Sequence, residues 1–249
     1  MTKGTSCGCW DLTELTLGFG RGNAYPGHML LYGPSGTGKS RQAKTLSLAQ
    51  GQEVYAVTLT QDMPMSELRG HYVIGQDREF RWQYGPCLLA WLSGGRLVID
   101  ELEKASGDAQ SFLLAVLDDP AVASITLPTG ETVRPAPGFS VIATSNAEAD
   151  EDLEPALRDR FPVTIRIDRP HPGALNALPA DVSHAARNSA GVDDPQRRVS
   201  VRSWSAFARL RDAFGDEALA AQAVFGARAD DVLAALAVAR TKAPARRSS

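Results

Sequence analysis

Apolar residues follow two rhythms along this chain. Five short runs, at 28–32, 53–60, 96–100, 139–144 and 163–168, are rich in β-branched and other apolar residues and read as strands. Between them the spacing turns helical. Ala109, Phe112, Leu113, Val116 and Leu117 form an i, i+3, i+4, i+7, i+8 stripe that Asp119-Pro120 ends. Strands alternating with helices imply a parallel sheet covered on both faces. Its central members should be near-continuous apolar runs, as Leu97-Val98-Ile99 and Val141-Ile142-Ala143 are.

Two hairpin-like inserts interrupt this alternation. One covers 72–82, with Gly75-Gln76-Asp77 as its turn, and the other covers 125–133, turning at Pro128-Thr129-Gly130. Past Arg169-Pro170-His171-Pro172 the strands stop and Ala-rich helical sequence begins. There Trp204, Phe207, Leu210 and Phe214 mark one helix, and Val232, Leu233 and Leu236 another. The expected organisation is a loosely held segment at 1–20, an α/β core at 21–170 and a small all-helical domain at 171–241. Inserts fall near 70–85 and 123–135 of the core, and a basic tail covers 242–249.

Composition fits this plan: 249 residues, 43% hydrophobic and 22% charged, supply one sizeable core and a small second domain. A net charge of -3 argues against binding nucleic acid through bulk charge. Arg240, Lys242, Arg246 and Arg247 crowd the C-terminal end and read as a solvated tail, as the acids between Glu148 and Glu154 read as a solvated loop. Cys7, Cys9 and Cys87 are too few for a disulfide framework, and Cys7-Gly8-Cys9 lacks the second ligand pair of a zinc site. With no long apolar run, the expectation is a soluble cytoplasmic protein that does not enter a membrane.

The chemistry concentrates in Gly33-Pro34-Ser35-Gly36-Thr37-Gly38-Lys39-Ser40, a full G-x-x-x-x-G-K-[ST] loop between a strand and a helix. Glycines let backbone N–H groups wrap a polyphosphate, and the helix after the loop adds its positive end. Lys39 reaches the β- and γ-phosphates, and the Ser40 hydroxyl ligates Mg²⁺. A magnesium site also needs a carboxylate at a neighbouring strand end. Asp100 supplies it, and Glu101 comes next as the group to polarise an attacking water. A third apolar strand ends in Asn146, placed to orient water or the γ-phosphate. Trp82, Trp91, Trp204, Phe112 and Phe207 are spaced for core packing rather than for stacking on bases. His28 and Cys87 read as structural.

These elements in this order, with Leu157-Arg158-Asp159-Arg160-Phe161 and a helical tail after them, resemble the AAA+ ATPases. More narrowly the chain resembles the MoxR-type branch, which holds the Q-type activators of rubisco and nitric oxide reductase and related ATPases with an insert in helix 2. The resemblance implies a P-loop αβα sandwich with a parallel five-stranded sheet and a helical lid. It makes Gly33–Ser40 Walker A, 97–101 Walker B and Asn146 sensor 1. Arg160 becomes the arginine finger for a neighbouring subunit, with Arg158 in reserve, and Arg202, in Ser200-Val201-Arg202, becomes sensor 2. The inserts become the helix-2 insert and the presensor hairpin, where such rings meet their substrates.

The same resemblance implies a Mg²⁺-dependent ATPase that forms a homo-oligomeric ring, the hexamer among its sizes, and remodels or activates a protein partner. A von Willebrand A-type partner would have to be a separate chain. Asn146-Ala-Glu-Ala-Asp150 faintly resembles the Asn-x-x-Asp of modification-dependent restriction GTPases, with one residue too many, so GTP stays open beside ATP. Two other classes also stay open. One is a nucleotide-gated assembly protein with negligible turnover alone; the other, placed last on charge, is a nucleic-acid motor.

Overall fold

The structure, a computed structural model, describes residues 8–19, 28–147, 153–190 and 198–242. Contacts divide it into two compact units. One holds the described residues up to Gly33 together with Lys39–Ile167; the other holds Pro34–Gly38 and the described residues from Asp168 on.

The first unit is built on a parallel sheet of β1 (Met29–Tyr32), β2 (Val54–Thr58), β5 (Arg96–Asp100), β8 (Ser140–Ser145) and β9 (Val163–Arg166), in the order β2-β5-β8-β1-β9. β5 and β8 are buried along their whole length, as continuous apolar runs require when both faces are covered. Edge strand β2 stays half open. Helix α2 (Lys39–Thr45) leaves the phosphate loop, and its last carbonyls are capped by a side chain distant in sequence. The buried Arg96 guanidinium donates to the carbonyls of Ala43 (3.2 Å), Leu46 (2.6 Å) and Ser47 (3.2 Å). The stripe read at 109–117 packs as foreseen: α5 (Gly107–Val116) starts at the Ser106 cap, and Ala109, Phe112, Leu113, Val116 and Leu117 are all buried.

Residues 9–19 depart from the loosely held N-terminal segment that the sequence suggested. They form helix α1 (Cys9–Phe19), whose Trp10 and Leu17 are buried in one cluster with Met29, Leu31 and Ile165 of the sheet. Thr13, at the middle of that stripe, is buried too. Its hydroxyl donates to the Cys9 carbonyl at 2.8 Å, so no polar group is stranded.

Both inserts are antiparallel hairpins. Helix α3 (Met65–Arg69) runs into β3 (Gly70–Ile74), which pairs with β4 (Phe80–Tyr84) before helix α4 (Pro86–Ser93). Tyr72, Ile74 and Phe80 lie on one face of this ribbon and are 46%, 68% and 72% exposed. Trp82, which its spacing had put in the core, is only half-buried and stands edge-on to Tyr72 and Tyr84. The shorter hairpin, β6 (Ile125–Thr126) with β7 (Thr132–Val133), packs Ile125 and Val133 into the main core. Helix α6 (Pro155–Asp159) then leads into β9.

The second unit is helical: α7 (Pro172–Asn176), α8 (Ala180–Ala190), α9 (Val201–Phe214), α10 (Glu217–Phe225) and α11 (Ala229–Lys242). Trp204, Phe207 and Phe225 pack edge-on and tilted against one another, ringed by small alanines that let helices approach. Asp181 of α8 accepts from Arg211 of α9 at 2.7 Å and from Arg240 of α11 at 2.8 Å, and Arg240 also pairs with Glu217. Arg240 therefore belongs to a four-residue ion network, not to a solvated tail; residues 243–249 lie outside the described part.

Burial alone would raise the Asp181 pKa, but hydrogen bonds from Arg240 and Arg211 outweigh it and hold the carboxyl below its ordinary value. A depressed carboxylate contributes stability above its unfolded pKa of about 3.9. That contribution is lost as pH falls through the folded value. Denaturant unfolding of the parent and of Asp181→Asn should thus show a gap at pH 6 that narrows steadily below about pH 4. A gap that stayed constant down to pH 3 would show that charge on Asp181 contributes nothing.

Candidate functional site

In a parallel sheet every strand ends on the same edge, and side chains placed just after those ends converge. Here β5, β8 and β1 are neighbours, so Asp100, Asn146 and Gly33 all come to the C-terminal edge. The loop from Gly33 to Ser40 turns there with three glycines at positive φ. At Gly33 (φ +125°) an added Cβ would lie 2.6 Å from the Ile167 carbonyl oxygen, so only glycine fits. At Gly38 (φ +99°) an added Cβ would meet nothing within 4 Å, which leaves that side of the loop open to a ligand.

Lys39 is the first residue of α2, and its ammonium is buried inside this turn. It donates to the Gly33 carbonyl at 2.7 Å and to the Asn146 side-chain oxygen at 3.2 Å. Two candidate residues 107 positions apart are thereby joined directly. Asn146 is fixed from its other side, because its backbone N–H donates to Glu103 at 3.1 Å. Thr37 is buried, with its hydroxyl on the Pro34 carbonyl (3.2 Å), while Ser35 and Gly36 are exposed and Ser40 is half-buried.

Asp100 ends β5 almost fully buried, at 6% exposure. One carboxylate oxygen accepts from the Thr144 hydroxyl at 2.8 Å; the other faces the Lys44 ammonium at 3.6 Å. A buried carboxylate that is oriented by one donor and already draws a cation fits the Mg²⁺ ligand that the loop implies. Glu101, the next residue, lies in the left-handed region (φ 60°, ψ 50°), a conformation that costs a non-glycine residue about 1–2 kcal/mol. Its carboxylate pairs with Lys104, and that hydrogen bond holds the Lys104 ammonium above its ordinary pKa.

Arg160 lies elsewhere, toward the opposite edge of the sheet. Arg160 caps α6, three residues before β9, whose first residue Val163 pairs with Met29 at the start of β1. It therefore sits toward the N-terminal edge of the sheet, with roughly 10 Å of strand between that edge and the one bearing Gly33 and Asp100. Its guanidinium donates to Asp118 at 3.1 Å. Arg158 is exposed on the same helix. Arg202 is the second residue of α9, exposed, in the helical unit; Ser200 caps that helix by accepting from the Ser203 N–H at 3.1 Å.

Thr144, Glu103, Lys44 and Lys104 had not been singled out in the sequence. Thr144 alone left a trace, as a polar residue near the end of an apolar strand. His28 and Cys87 are buried, and burial brings the His28 pKa down to about 4 and pushes the Cys87 thiol up to about 12. Both are uncharged at neutral pH and suit structural roles. Asp150 and Cys7 fall outside the described residues. Among the described residues no His, Cys, Asp and Glu cluster could hold a metal by itself, and no helix is long and apolar enough to cross a membrane.

Known proteins are similar to this chain. Residues 28–161 match the model of the AAA domain, dynein-related subfamily. Protein NorQ of Paracoccus denitrificans is 32% identical over 177 residues, which cover 70% of this chain and 62% of NorQ. The denitrification regulatory protein NirQ of Pseudomonas aeruginosa is 31% identical over 145 residues, covering 57% of this chain and 55% of NirQ. The chain thus spans less than two thirds of the length of these relatives. Among solved structures, the RuvB Holliday junction branch migration motor of Thermotoga maritima matches 92% of this chain and 68% of its own. The TM-score is 0.51 at 16% identity, a likeness of fold.

Proposed function

We propose that this chain, which belongs to the AAA domain family in its dynein-related subfamily, is a Mg²⁺-dependent ATPase that assembles into a ring and remodels or activates a protein partner. The observation that carries the reading is the bond between Lys39 and Asn146 at the sheet edge where Asp100 and Glu101 also end. Asp100, Glu101 and Asn146 follow the ends of two neighbouring strands, on the edge that also bears Lys39 of the phosphate loop.

In this reading the N–H groups from Pro34 to Ser40 and the Lys39 ammonium bind the phosphates of ATP. Asp100 and Ser40 would hold Mg²⁺, which would neutralise negative charge on the phosphates when bound. Glu101 takes a proton from the attacking water, and Asn146 orients that water or the γ-phosphate. Arg202 acts as a second sensor, a role that its exposure and its place in the Ser-x-Arg motif support.

Arg160 acts on a neighbour. Lying toward the far edge of its own sheet, it is poorly placed for its own phosphates and well placed for those of an adjoining subunit. That supports a ring in which each site is completed across an interface. The exposed Ile74 and Phe80 of the β3–β4 hairpin support contact with protein rather than with nucleic acid. The name of NirQ, a denitrification regulatory protein, supports action on a partner; a chain with a von Willebrand A-type module is a candidate for it.

Phosphate release from ATP and from GTP, measured over a wide range of protein concentration, tests this reading. Specific activity should climb as subunits assemble, with ATP preferred. A flat rate near zero with tight nucleotide binding would replace it with the nucleotide-gated assembly protein, and a preference for GTP would overturn the choice of base.

A further inference from the structure

Asp118 has no part in the chemistry described so far, yet it holds the one arginine that the reading sends to a neighbouring subunit. It lies just past Leu117, the last residue of the buried stripe of α5. The turn around it is tightly fixed. Asp119 accepts from Val122 (2.9 Å) and Ala123 (2.8 Å) through its carbonyl and from Ala121 (2.9 Å) through its side chain, and Pro120 stiffens the backbone between them. The Asp118 carboxylate is itself anchored, because the same oxygen that receives Arg160 also accepts the Asp119 N–H at 3.0 Å.

Arg160 stands on an equally firm base. Its backbone N–H bonds the Leu157 carbonyl at 3.1 Å, and its neighbours Leu157 and Phe161 are buried in the core. Only the arginine side chain keeps its freedom, and its rotamers carry about 2 kcal/mol of entropy. Asp118 takes up only one of its nitrogens, Nη1. Among the described residues, Nε and Nη2 make no hydrogen bond, and the side chain is 38% exposed. One donor is thus tethered while two remain available to an anion.

We infer that Asp118 is a positioning residue for Arg160: it sets the guanidinium in place on the protein surface before a neighbour's nucleotide reaches it. The inference rests on the reading of Arg160 as a finger acting between subunits. An exposed ion pair contributes little to stability. Its value here is orientation, since a reacting group misplaced by about 1 Å can lose about 10²-fold in rate.

The test is a double-mutant cycle on the assembled full chain, with kcat and KM for ATP measured for Asp118→Ala, Arg160→Ala, the pair, and Asp118→Glu. Asp118→Ala should lower kcat on the order of tenfold and leave KM unchanged. The same change on an Arg160→Ala background should do nothing, and Asp118→Glu, which keeps the carboxylate, should recover most of the loss. An additive loss in the pair would assign Asp118 to the stability of the turn and overturn the inference. So would a rise in kcat, which would make the ion pair a restraint that competes with the ligand. If Arg160→Ala is active and Asp118→Ala silent, the finger reading falls and this inference falls with it. If Arg160→Ala is inactive and Asp118→Ala is silent, only the inference falls.

Discussion

Glu101→Gln should bind ATP as the parent does and hydrolyse it about 10²–10⁴ times more slowly. The substitution keeps the shape of the side chain and removes its charge, and with it the ion pair to Lys104 and the ability to take a proton. The phosphate-binding parts do not depend on it. Lys39 is held by Gly33 and Asn146, and Asp100 is oriented by Thr144. Backbone strain is also unchanged, because glutamine occupies the left-handed region at the same cost as glutamate. Two measurements read the prediction: a fluorescent-nucleotide titration for binding and single-turnover phosphate release for chemistry. Hydrolysis within twofold of the parent would remove Glu101 from the reaction. Loss of binding would instead show that the Glu101–Lys104 pair supports the loop beyond β5.

The places of Glu101 and its companions at strand ends were legible because of how each is encoded. The phosphate loop is one contiguous string whose residue types are dictated by close backbone approach to phosphates, so its meaning survives without a fold. The five strands were legible because a buried parallel sheet demands unbroken apolar runs, and β5 and β8 satisfy that demand at every position. Helix α1 escaped because its stripe, Trp10, Thr13 and Leu17, carries a threonine at its centre. Only the structure shows that the hydroxyl is satisfied by its own helix. Phe214 marks the end of α9, as its helical step with Trp204 and Phe207 suggested, and is 47% exposed there.

Partnerships between distant residues left no local signal at all. Asp181 finds Arg240 across 59 positions, and Asp118 finds Arg160 across 42. Each of these charges, taken alone, looks the same as a charge on a solvated loop or tail. Pairing is a property of the fold, and so is the edge of the sheet that Arg160 occupies.

Arg160→Ala should leave nucleotide binding intact and lower ATP hydrolysis in the assembled ring by about 10³–10⁵-fold, the range that a cationic finger contributes when charge spreads over the γ-phosphoryl oxygens. The location of the residue turns this into a sharper expectation. Because Arg160 lies toward the edge of the sheet opposite its own Gly33 and Asp100, the loss should be repairable by a neighbour. Glu101→Gln subunits carry an intact Arg160, and Arg160→Ala subunits carry an intact Glu101. Each variant alone is inactive. In rings assembled from an equal mixture, about a quarter of the interfaces join an intact Glu101 to an intact Arg160, so activity should return to about that fraction of the parent. A ring repeats one head-to-tail interface, which is why the two halves of a site are contributed by different copies. A mixture as inactive as its components, with mixed assembly verified by co-purification of differently tagged subunits, would mean that Arg160 serves its own site or none. Arg158, exposed on the same helix, would then be the residue to exchange next.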